Sequence, residues 1–488
     1  MGKIIPTLID RFDGGISEDK RSKQSNKFSL TKHFDVFTYP HKLFPYYKTE
    51  ALETKNLDIV KFCQNGSTFY GFGVVAGSTK GAVYSQTADA AWAAPNGNNE
   101  SSQNGRSEIV FFPYKTYIFM FRTAQVMRFD TAGGAWADSH HSLSWTNLAE
   151  PVHHPADDCA YFFYDNKVVR LNDSTWTDDV LTLPSNLKIV SACAYGNYLA
   201  IGCSPLVSGS ANSIVFLWDR DSSLTTLTER IDFGEGDLVY LANLDNKLIG
   251  LINFGINVEA GLRFGKLLIK QANGQLATIL SEITTDNTGY LQSGCNSIVR
   301  DNKMYFACEA PLDGDTRLGI WVVDSNGRFA LDFIEEEATA SSGAAYQGIY
   351  KTFNKWWIAH SNDGSVQRSD ENLSYTITNP SIYESLIFNV GDSSLTKKLV
   401  SVTVMNEPIS TSASAKITLK YRKDEETDWT TIFENTTDYS ISHTAVNIES
   451  SGANLPQFKE IQFRIESIVG VIPTGFKFKS EIIDSDIN

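Results

Sequence analysis

The chain is a succession of short apolar runs, each bounded by polar turn residues. Seven runs between residues 57 and 372 share one form, in which an aromatic or aliphatic strand follows a turn and precedes a second strand. One anchor residue marks each run: Phe69, Tyr117, Tyr161, Tyr198, Leu248, Met304 and Trp356. The anchors are 48, 44, 37, 50, 56 and 52 residues apart, and a four-stranded propeller blade occupies about 40–50 residues. The pattern predicts a β-propeller of about seven blades over residues 57–379, with six or eight blades as alternatives.

Three of the runs begin with related turns, which are Asp245-Asn246-Lys247, Asp301-Asn302-Lys303 and Asn354-Lys355. Asparagine suits such turns because it adopts positive φ at little cost. Any β-rich chain produces single matches of this kind by chance, but seven matches at comparable spacing favour a repeat. Each blade would expose two apolar faces that only its neighbours can cover, so the repeat predicts a closed array.

The pattern changes near Pro380. Beyond it, apolar and polar residues alternate in three stretches: 399–404, 415–421 and 460–465. This period of two predicts strands with one buried face and one wet face, and residues 380–488 are predicted to form a β-sandwich or jelly roll. Residues 1–56 fit neither region and are predicted to be an N-terminal arm that packs along the propeller or reaches a neighbouring subunit. The predicted fold class is all-β.

Composition supports a packed protein with several domains. The chain has 488 residues, of which 42% are hydrophobic, 20% charged and 12% aromatic. This length exceeds one ordinary core, and the aromatic content favours strands. The net charge of −15 argues against a protein that grips nucleic acid through its phosphates. Solubility is the simpler explanation of this charge, and the alternative is an acidic wall that DNA passes without binding.

Cysteine usage and hydropathy bear on the compartment. The six cysteines, at positions 63, 159, 193, 203, 295 and 308, form no Cys-x-x-Cys pair. We expect buried free thiols and assembly in a reducing cytoplasm. Neither an apolar run of 18 residues nor a signal-peptide core occurs, so no membrane insertion is expected.

Short motifs at both ends of the chain carry a resemblance. At the N-terminal end they are Asp10-Arg11-Phe12-Asp13-Gly14-Gly15-Ile16-Ser17, residues 32–37 and Leu43-Phe44-Pro45, and at the C-terminal end residues 381–386, 421–423, 428–432 and 463–465. The chain resembles virion structural proteins of tailed bacteriophages, in which a Phe-x-Gly-Gly start introduces a propeller and a sandwich closes the chain. The nozzle-type proteins of short-tailed phages, which form rings around the DNA path, are one comparison.

The resemblance implies a structural tail component without catalysis. The implied partners are other virion proteins, copies of the chain itself, and genomic DNA that passes without specific binding. The implied location is the virion tail, after assembly in the host cytoplasm. The alternatives are a receptor- or glycan-binding tail protein, with Trp356, Trp357 and Trp429 as aromatics that would stack on sugars, and a sialidase-like glycosidase.

No catalytic, cofactor-binding or metal-binding residue is predicted. The glycines of residues 71–77 have the wrong spacing for a dinucleotide loop and suit a strand. Residues 361–365 resemble only a fragment of a sialidase turn, and residues 311–315 favour an Asp-Gly hairpin over a calcium loop. The pairs His140-His141 and His153-His154 would each offer one zinc ligand easily, because adjacent strand residues point to opposite faces. Surface or turn positions are the preferred interpretation of these histidines.

Overall fold

The computed structural model describes much of the chain. The described residues are 4–17, 21, 26–45, 49–51, 58–74, 80–86, 100–104, 110–122, 125–206, 212–221, 227, 229–254, 264–286, 297–312, 315–334, 346–352, 355–360, 366–369, 380–390, 393–409, 415–435, 443–446, 456–469 and 471–483. Every regular element in these residues is a β-strand, so the predicted all-β class is confirmed.

The N-terminal segment contributes five short strands, which are β1 (Ile4–Ile9), β2 (Phe28–Lys32), β3 (Phe34–Asp35), β4 (Phe44–Pro45) and β5 (Thr49–Ala51). The following strands form antiparallel units of four, numbered here in chain order. Unit 1 contains β6 (Asp58–Asn65), β7 (Thr68–Val74), β8 (Lys80–Gln86) and β9 (Glu100–Asn104). Unit 2 contains β10 (Val110–Tyr114), β11 (Tyr117–Arg122), β12 (Gln125–Asp130) and β13 (Ala135–Ser142). Unit 3 contains β14 (Leu148–His154), β15 (Cys159–Tyr164), β16 (Lys167–Asn172) and β17 (Thr175–Thr182).

Units 4 and 5 form one continuous sheet, because their outer strands touch at a parallel bridge between Asp232 and Leu276. Unit 4 contains β18 (Leu187–Tyr195), β19 (Tyr198–Pro205), β20 (Asn212–Trp218) and β21 (Glu229–Glu235). Unit 5 contains β22 (Asp237–Leu244), β23 (Lys247–Phe254), β24 (Phe264–Asn273) and β25 (Leu276–Asp286).

The last two units differ in how they are completed. Unit 6 contains β26 (Ile298–Arg300), β27 (Lys303–Leu312), β28 (Asp315–Asp324) and β29 (Phe329–Ile334). Unit 7 contains β30 (Tyr346–Thr352), β31 (Lys355–His360) and β32 (Val366–Ser369), and its fourth strand is β5. Glu50 pairs with Arg368 in this antiparallel ladder. A strand from the start of the chain therefore completes the unit made by residues 346–369.

Apolar residues on both faces of each unit explain why the units stack. All six residues of β15 are buried, and alternate residues join two different clusters. Tyr161 and Phe163 pack against unit 4, whereas Phe162 and Tyr164 pack against unit 2. Such a strand cannot keep its apolar faces from water without two neighbours. All seven anchor residues lie in the second strand of a unit, as the repeat predicted.

Among the described residues, seven apolar clusters join neighbouring units, and one of them joins unit 7 to unit 1. In that cluster Phe62 and Phe69 of unit 1 pack with Trp357 of unit 7, and the Phe69 and Trp357 ring centroids are 5.0 Å apart. The consecutive four-stranded units with shared cores are a β-propeller. The predicted β-propeller fold is confirmed, while the number of blades stays a prediction.

The predicted turns have the backbone that their asparagines allow. Asn246 and Asn302 have φ of 60° and 55°, and the preceding Asp245 and Asp301 also have positive φ. Residues 353 and 354 lie outside the described residues. The first strands of units 1, 4 and 5 have a feature that the sequence pattern does not show: a register shift leaves one extra residue, Val60, Val190 or Val239, opposite the second strand. Such bulges increase strand twist.

The C-terminal strands form two sheets that both include an N-terminal strand. They are β33 (Ser381–Ser385), β34 (Lys397–Asn406), β35 (Lys416–Lys423), β36 (Thr430–Asn435), β37 (His443–Val446), β38 (Gln457–Phe458), β39 (Ile461–Ile468) and β40 (Pro473–Ile482). Sheet A has the order β1-β40-β34-β37, with β38 also on β34, and sheet B has the order β2-β33-β39-β35-β36.

Sheets A and B share one core, to which Val402 and Phe478 of sheet A and Leu419, Phe463 and Ile465 of sheet B contribute. The three alternating stretches predicted as strands are found in β34, β35 and β39. It stays a prediction that the two sheets form a β-sandwich. The boundaries of the predicted domains 1–56, 57–379 and 380–488 also stay predictions.

Removal of residues 1–57 tests the contribution of the N-terminal strands. The truncated chain loses β1, β2 and β5, so unit 7 and both C-terminal sheets acquire open edges, which favour aggregation. We expect residues 58–488 to be insoluble alone and to become soluble when residues 1–57 are co-expressed as a separate peptide. A soluble truncated chain with the near-UV circular dichroism of the full chain would contradict this expectation.

Candidate functional site: the joint between the propeller and the C-terminal sheets

The described residues among 10–45 (10–17, 21 and 26–45), called the joint segment here, contact both the propeller and the two C-terminal sheets. Phe12 is fully buried, and its ring meets that of Tyr383 in sheet B edge-on at 5.1 Å. The Ile16 N–H donates to the Phe329 carbonyl of unit 6 at 2.8 Å. Side-chain packing therefore joins this segment to sheet B, and a backbone hydrogen bond joins it to unit 6.

The Phe12-Asp13-Gly14-Gly15 motif makes close backbone contacts that side chains would prevent. A Cβ atom on Gly14 would come within 2.4 Å of the Asn26 backbone. Gly15 has φ of +79°, and a Cβ there would lie 3.0 Å from the Phe329 carbonyl oxygen. Glycine tolerates positive φ and close approach at no steric cost. The motif that carries the resemblance is therefore a structural joint.

Asp13 continues the joint with ion pairs. Its Oδ2 atom lies 2.7 Å from Arg11 Nη2 and 2.9 Å from Arg328 Nη1, in the β28–β29 turn. Arg328 Nε also donates to Asp324 at 2.7 Å. Burial alone would raise the pKa of Asp13, but hydrogen bonds from the two arginines outweigh it and lower that pKa. The carboxylate is ionised and anchors the motif to unit 6.

A buried charge cluster joins units 6 and 7 to the same segment. Lys351 Nζ of β30 lies 3.1 Å from Asp332 Oδ2 of β29 and 3.8 Å from Asp35 Oδ2 of β3. The Lys351 and Asp332 side chains are only 4% and 2% exposed. Trp356 Nε1 donates to Asp332 Oδ2 at 3.1 Å, and Lys351 Nζ lies 4.4 Å from the centre of the Tyr305 ring.

The ion pairs of this cluster offset the cost of burying its charges. Burial opposes the charged form of Lys351, but Asp332 and Asp35 outweigh it and raise the pKa of Lys351. Burial likewise opposes ionisation of Asp35, but Lys351, the Thr38 hydrogen bonds and Lys303 together outweigh it, so the pKa of Asp35 is lowered. A buried charge is tolerated only with such partners. The cluster therefore specifies how β3, β29 and β30 meet.

Sequence reasoning did not identify Lys351, Asp332, Asp35 or Arg328. The available signal is a charged residue inside an apolar strand, as Asp332 is within Phe329–Ile334. This signal shows that a partner is needed but not which residue supplies it, because Asp35 and Lys351 are far apart in sequence.

The aromatic residues predicted as sugar-stacking candidates divide into two groups. Trp356 and Trp357 are 0% and 1% exposed, so they belong to the core and cannot stack on a ligand. Trp429 is partly exposed, next to β36. Of the three candidates, the structure leaves Trp429 in a position to meet a sugar.

The four histidines do not meet as a zinc site. His141 Nε2 lies 2.8 Å from Asp178, and His153 Nε2 lies 2.8 Å from Asp158. His154 is fully buried, so the preference for surface or turn positions is wrong for this residue. Its Nδ1 accepts from the Ala156 N–H at 3.3 Å, so Nε2 carries the proton donated to the Tyr198 carbonyl. Both ring nitrogens of His154 are thus occupied.

The remaining sequence candidates have plain structural positions. Gly71 and Gly73 lie in strand β7, as predicted, and residues 75–77 lie outside the described residues. Leu312 pairs with Asp315 in the predicted hairpin, while residues 313–314 and the sialidase-like stretch 361–365 are outside the described part of the chain.

Four of the six cysteines can be placed. Cys63, Cys159 and Cys203 are buried free thiols, as predicted, and Cys193 is a partly buried free thiol. Burial raises the pKa of the Cys193 thiol to about 12, so it is protonated and unreactive at neutral pH. Cys295 and the Cys308 side chain lie outside the described residues.

Two further searches cover only the described residues. Within them, no three histidine, cysteine, aspartate or glutamate side chains come together as metal ligands. Nor does any helix in this part of the chain have the length and apolar character needed to cross a bilayer.

Comparison with known proteins finds similarity in solved structures alone. No protein-family model and no curated protein sequence matches the chain. The N-terminal domain of Nup159 is 11% identical, with a TM-score of 0.40, and the match covers 67% of this chain and 94% of that one. BamB from Moraxella catarrhalis is 12% identical, with a TM-score of 0.32, and the match covers 64% of this chain and 81% of that one. The β-propeller domain of Cps50 (Swd1) from Myceliophteria thermophila is 10% identical, with a TM-score of 0.43, and the match covers 67% of this chain and 99% of that one. At these values the similarities carry no argument about function.

Substitution of Lys351 by methionine tests the buried cluster. The change leaves Asp332 and Asp35 buried without their cation, and we expect the free energy of unfolding to fall by about 3–5 kcal/mol. Lys266→Met is the matched control, because the Lys266–Glu282 pair has the same 3.1 Å separation but side chains 44% and 39% exposed. The control should cost less than about 1 kcal/mol in urea denaturation. Equal losses for the two variants would show that burial of the cluster is unimportant.

Stability should also fall on mild acidification. Burial lowers the pKa of His33, His140 and His154, whereas an unfolded histidine titrates near pH 6.5. The folded state binds fewer protons than the unfolded state. The contribution of these histidines to the free energy of unfolding is therefore fully present above about pH 6.5 and decreases as the pH falls below it. Urea denaturation should show a loss of about 1–3 kcal/mol between pH 7.5 and pH 5.5. His154→Gln should reduce this loss, and identical stability of the wild type at the two pH values would contradict the argument.

Proposed function

We propose that the chain is a non-enzymatic structural subunit of a tailed-phage virion, of the tail or nozzle type. In this proposal, units 1–7 are the seven blades of a closed propeller, and sheets A and B are a β-sandwich. Copies of the subunit form a ring around the DNA path, in contact with other virion proteins. The subunit is assembled in the host cytoplasm and resides in the tail.

The position of the Phe12-Asp13-Gly14-Gly15 motif is the observation that carries the proposal. The motif that underlies the resemblance to phage virion proteins lies at the joint, where its glycines contact the backbone of neighbouring segments. Asp13 and the Lys351 cluster add ion pairs at the same joint. These contacts support a rigid subunit whose propeller and C-terminal sheets keep a constant spacing, as a tail wall requires.

The charge of the chain supports the same role. A net charge of −15 repels phosphate, so DNA would slide past such subunits without being held. A protein that binds DNA for its function would instead need a basic patch and would lose affinity as salt rises.

Two measurements test the proposal. Mass spectrometry of purified phage particles from cells that carry the gene should find the chain in the virion in several copies. The purified protein should form closed rings under the electron microscope. Absence of the chain from intact particles would refute the virion role. A monomer that hydrolyses a fluorogenic glycoside would instead establish the glycosidase alternative.

A further inference from the structure

Trp429 differs from every other described tryptophan in its surroundings. The others each pack against at least one aromatic ring; they are Trp136, Trp145, Trp176, Trp218, Trp321, Trp356 and Trp357. The Trp429 ring instead has two guanidinium groups over it, with Arg422 and Arg464 Cζ at 4.5 Å and 4.6 Å from its centre. Trp429 is partly exposed and belongs to none of the apolar clusters of the described residues.

The strand register places the two arginines that contact this indole on one face of sheet B. Arg422 pairs with Gln462, and Lys420 pairs with Arg464, so these four side chains project from one face of sheet B. The intervening residues, such as Phe463, face the shared core. The two arginines therefore lie on the outer face of the sheet. Both guanidinium groups contact the Trp429 ring, and the indole stays partly exposed.

The two arginines have different partners. Arg464 Nε donates to Glu384 Oε1 at 2.8 Å, and Arg464 Nη1 lies 3.7 Å from Glu466, so carboxylates balance its charge. Arg422 uses Nε to donate to Gln462 Oε1 at 2.8 Å. The two Nη groups of Arg422 make no hydrogen bond to a described residue, and they remain as donors beside the indole.

The adjacent β35–β36 turn supplies hydrogen-bond acceptors. Asp424 is engaged, because its Oδ1 accepts from the backbone N–H groups of Lys459 and Glu460. Glu425 and Asp428 are exposed. Carboxylates at this position disfavour an anionic ligand, but they accept hydrogen bonds from hydroxyl groups.

We propose that Trp429, Arg422, Glu425 and Asp428 form a binding site for a neutral carbohydrate. A pyranose ring has an apolar face that packs on an indole and a rim of hydroxyls that both donate and accept hydrogen bonds, so the indole and the polar groups beside it match the two kinds of surface that a sugar offers. The site lies on sheet B, and the proposal does not rest on the virion role.

Binding of neutral trisaccharides to the full-length protein tests the site. Maltotriose, cellotriose, mannotriose and triacetylchitotriose are titrated separately, with trigalacturonate as the anionic comparison, by isothermal calorimetry and saturation-transfer NMR. We expect at least one neutral trisaccharide to bind. Trp429→Ala should weaken that binding about tenfold, and Arg422→Gln should weaken it several-fold. Lys416→Gln is the matched control, because Lys416 is on the same sheet face but pairs with Glu434 at 2.9 Å; it should bind as the wild type does.

Asp428→Ala keeps the test valid if loss of the indole disturbs sheet B, because Asp428 is exposed and its removal should leave the fold intact. This variant should also bind the sugar several-fold more weakly. Absence of binding by all four neutral trisaccharides would overturn the proposal, as would unchanged binding in folded Trp429→Ala or in Asp428→Ala. Preferential binding of trigalacturonate would overturn the assignment of a neutral ligand.

Discussion

Burial of both faces of the second strand in each unit is the constraint on which the structure depends. Strand β15 places alternate residues in two different clusters, so a single unit cannot shield its apolar side chains. Each unit needs two neighbours, and the series has to close on itself. Closure depends on Phe62 and Phe69 of unit 1, which pack with Trp357 of unit 7. Strand β5 adds backbone pairing to unit 7 from the other end of the chain.

The N-terminal segment links this closure to the C-terminal sheets. It supplies β5 to unit 7, β1 to sheet A and β2 to sheet B, and between these strands Phe12 and Asp13 contact sheet B and unit 6. Asp35 brings the same segment to Lys351. A buried ion pair adds little net stability compared with apolar packing, but it penalises any arrangement that separates its members. The joint is thus built for a definite geometry.

Sequence patterns predicted the elements better than their long-range partners. The anchors, the Asn246 and Asn302 turns and the three alternating C-terminal stretches are found where they were predicted, because they depend on local periodicity and turn chemistry. The bulges at Val60, Val190 and Val239 were not predictable, since valine is equally common at regular strand positions. Pairing of β5 with β32 could not be predicted either, because a three-residue strand carries almost no pattern. The sequence also does not separate Trp429 from the buried Trp356 and Trp357, since their exposure depends on packing between units.

A designed disulfide tests closure of the propeller by β5 most directly. Glu50 and Arg368 are paired across β5 and β32, and directly paired antiparallel residues are close enough for a disulfide. The account predicts that Glu50→Cys/Arg368→Cys oxidises spontaneously in the folded protein and raises its melting temperature. Glu50→Cys/Val366→Cys, two residues out of register, should keep both new thiols free. Free thiols in the first variant, or equal oxidation of both, would contradict the closure on which the account rests.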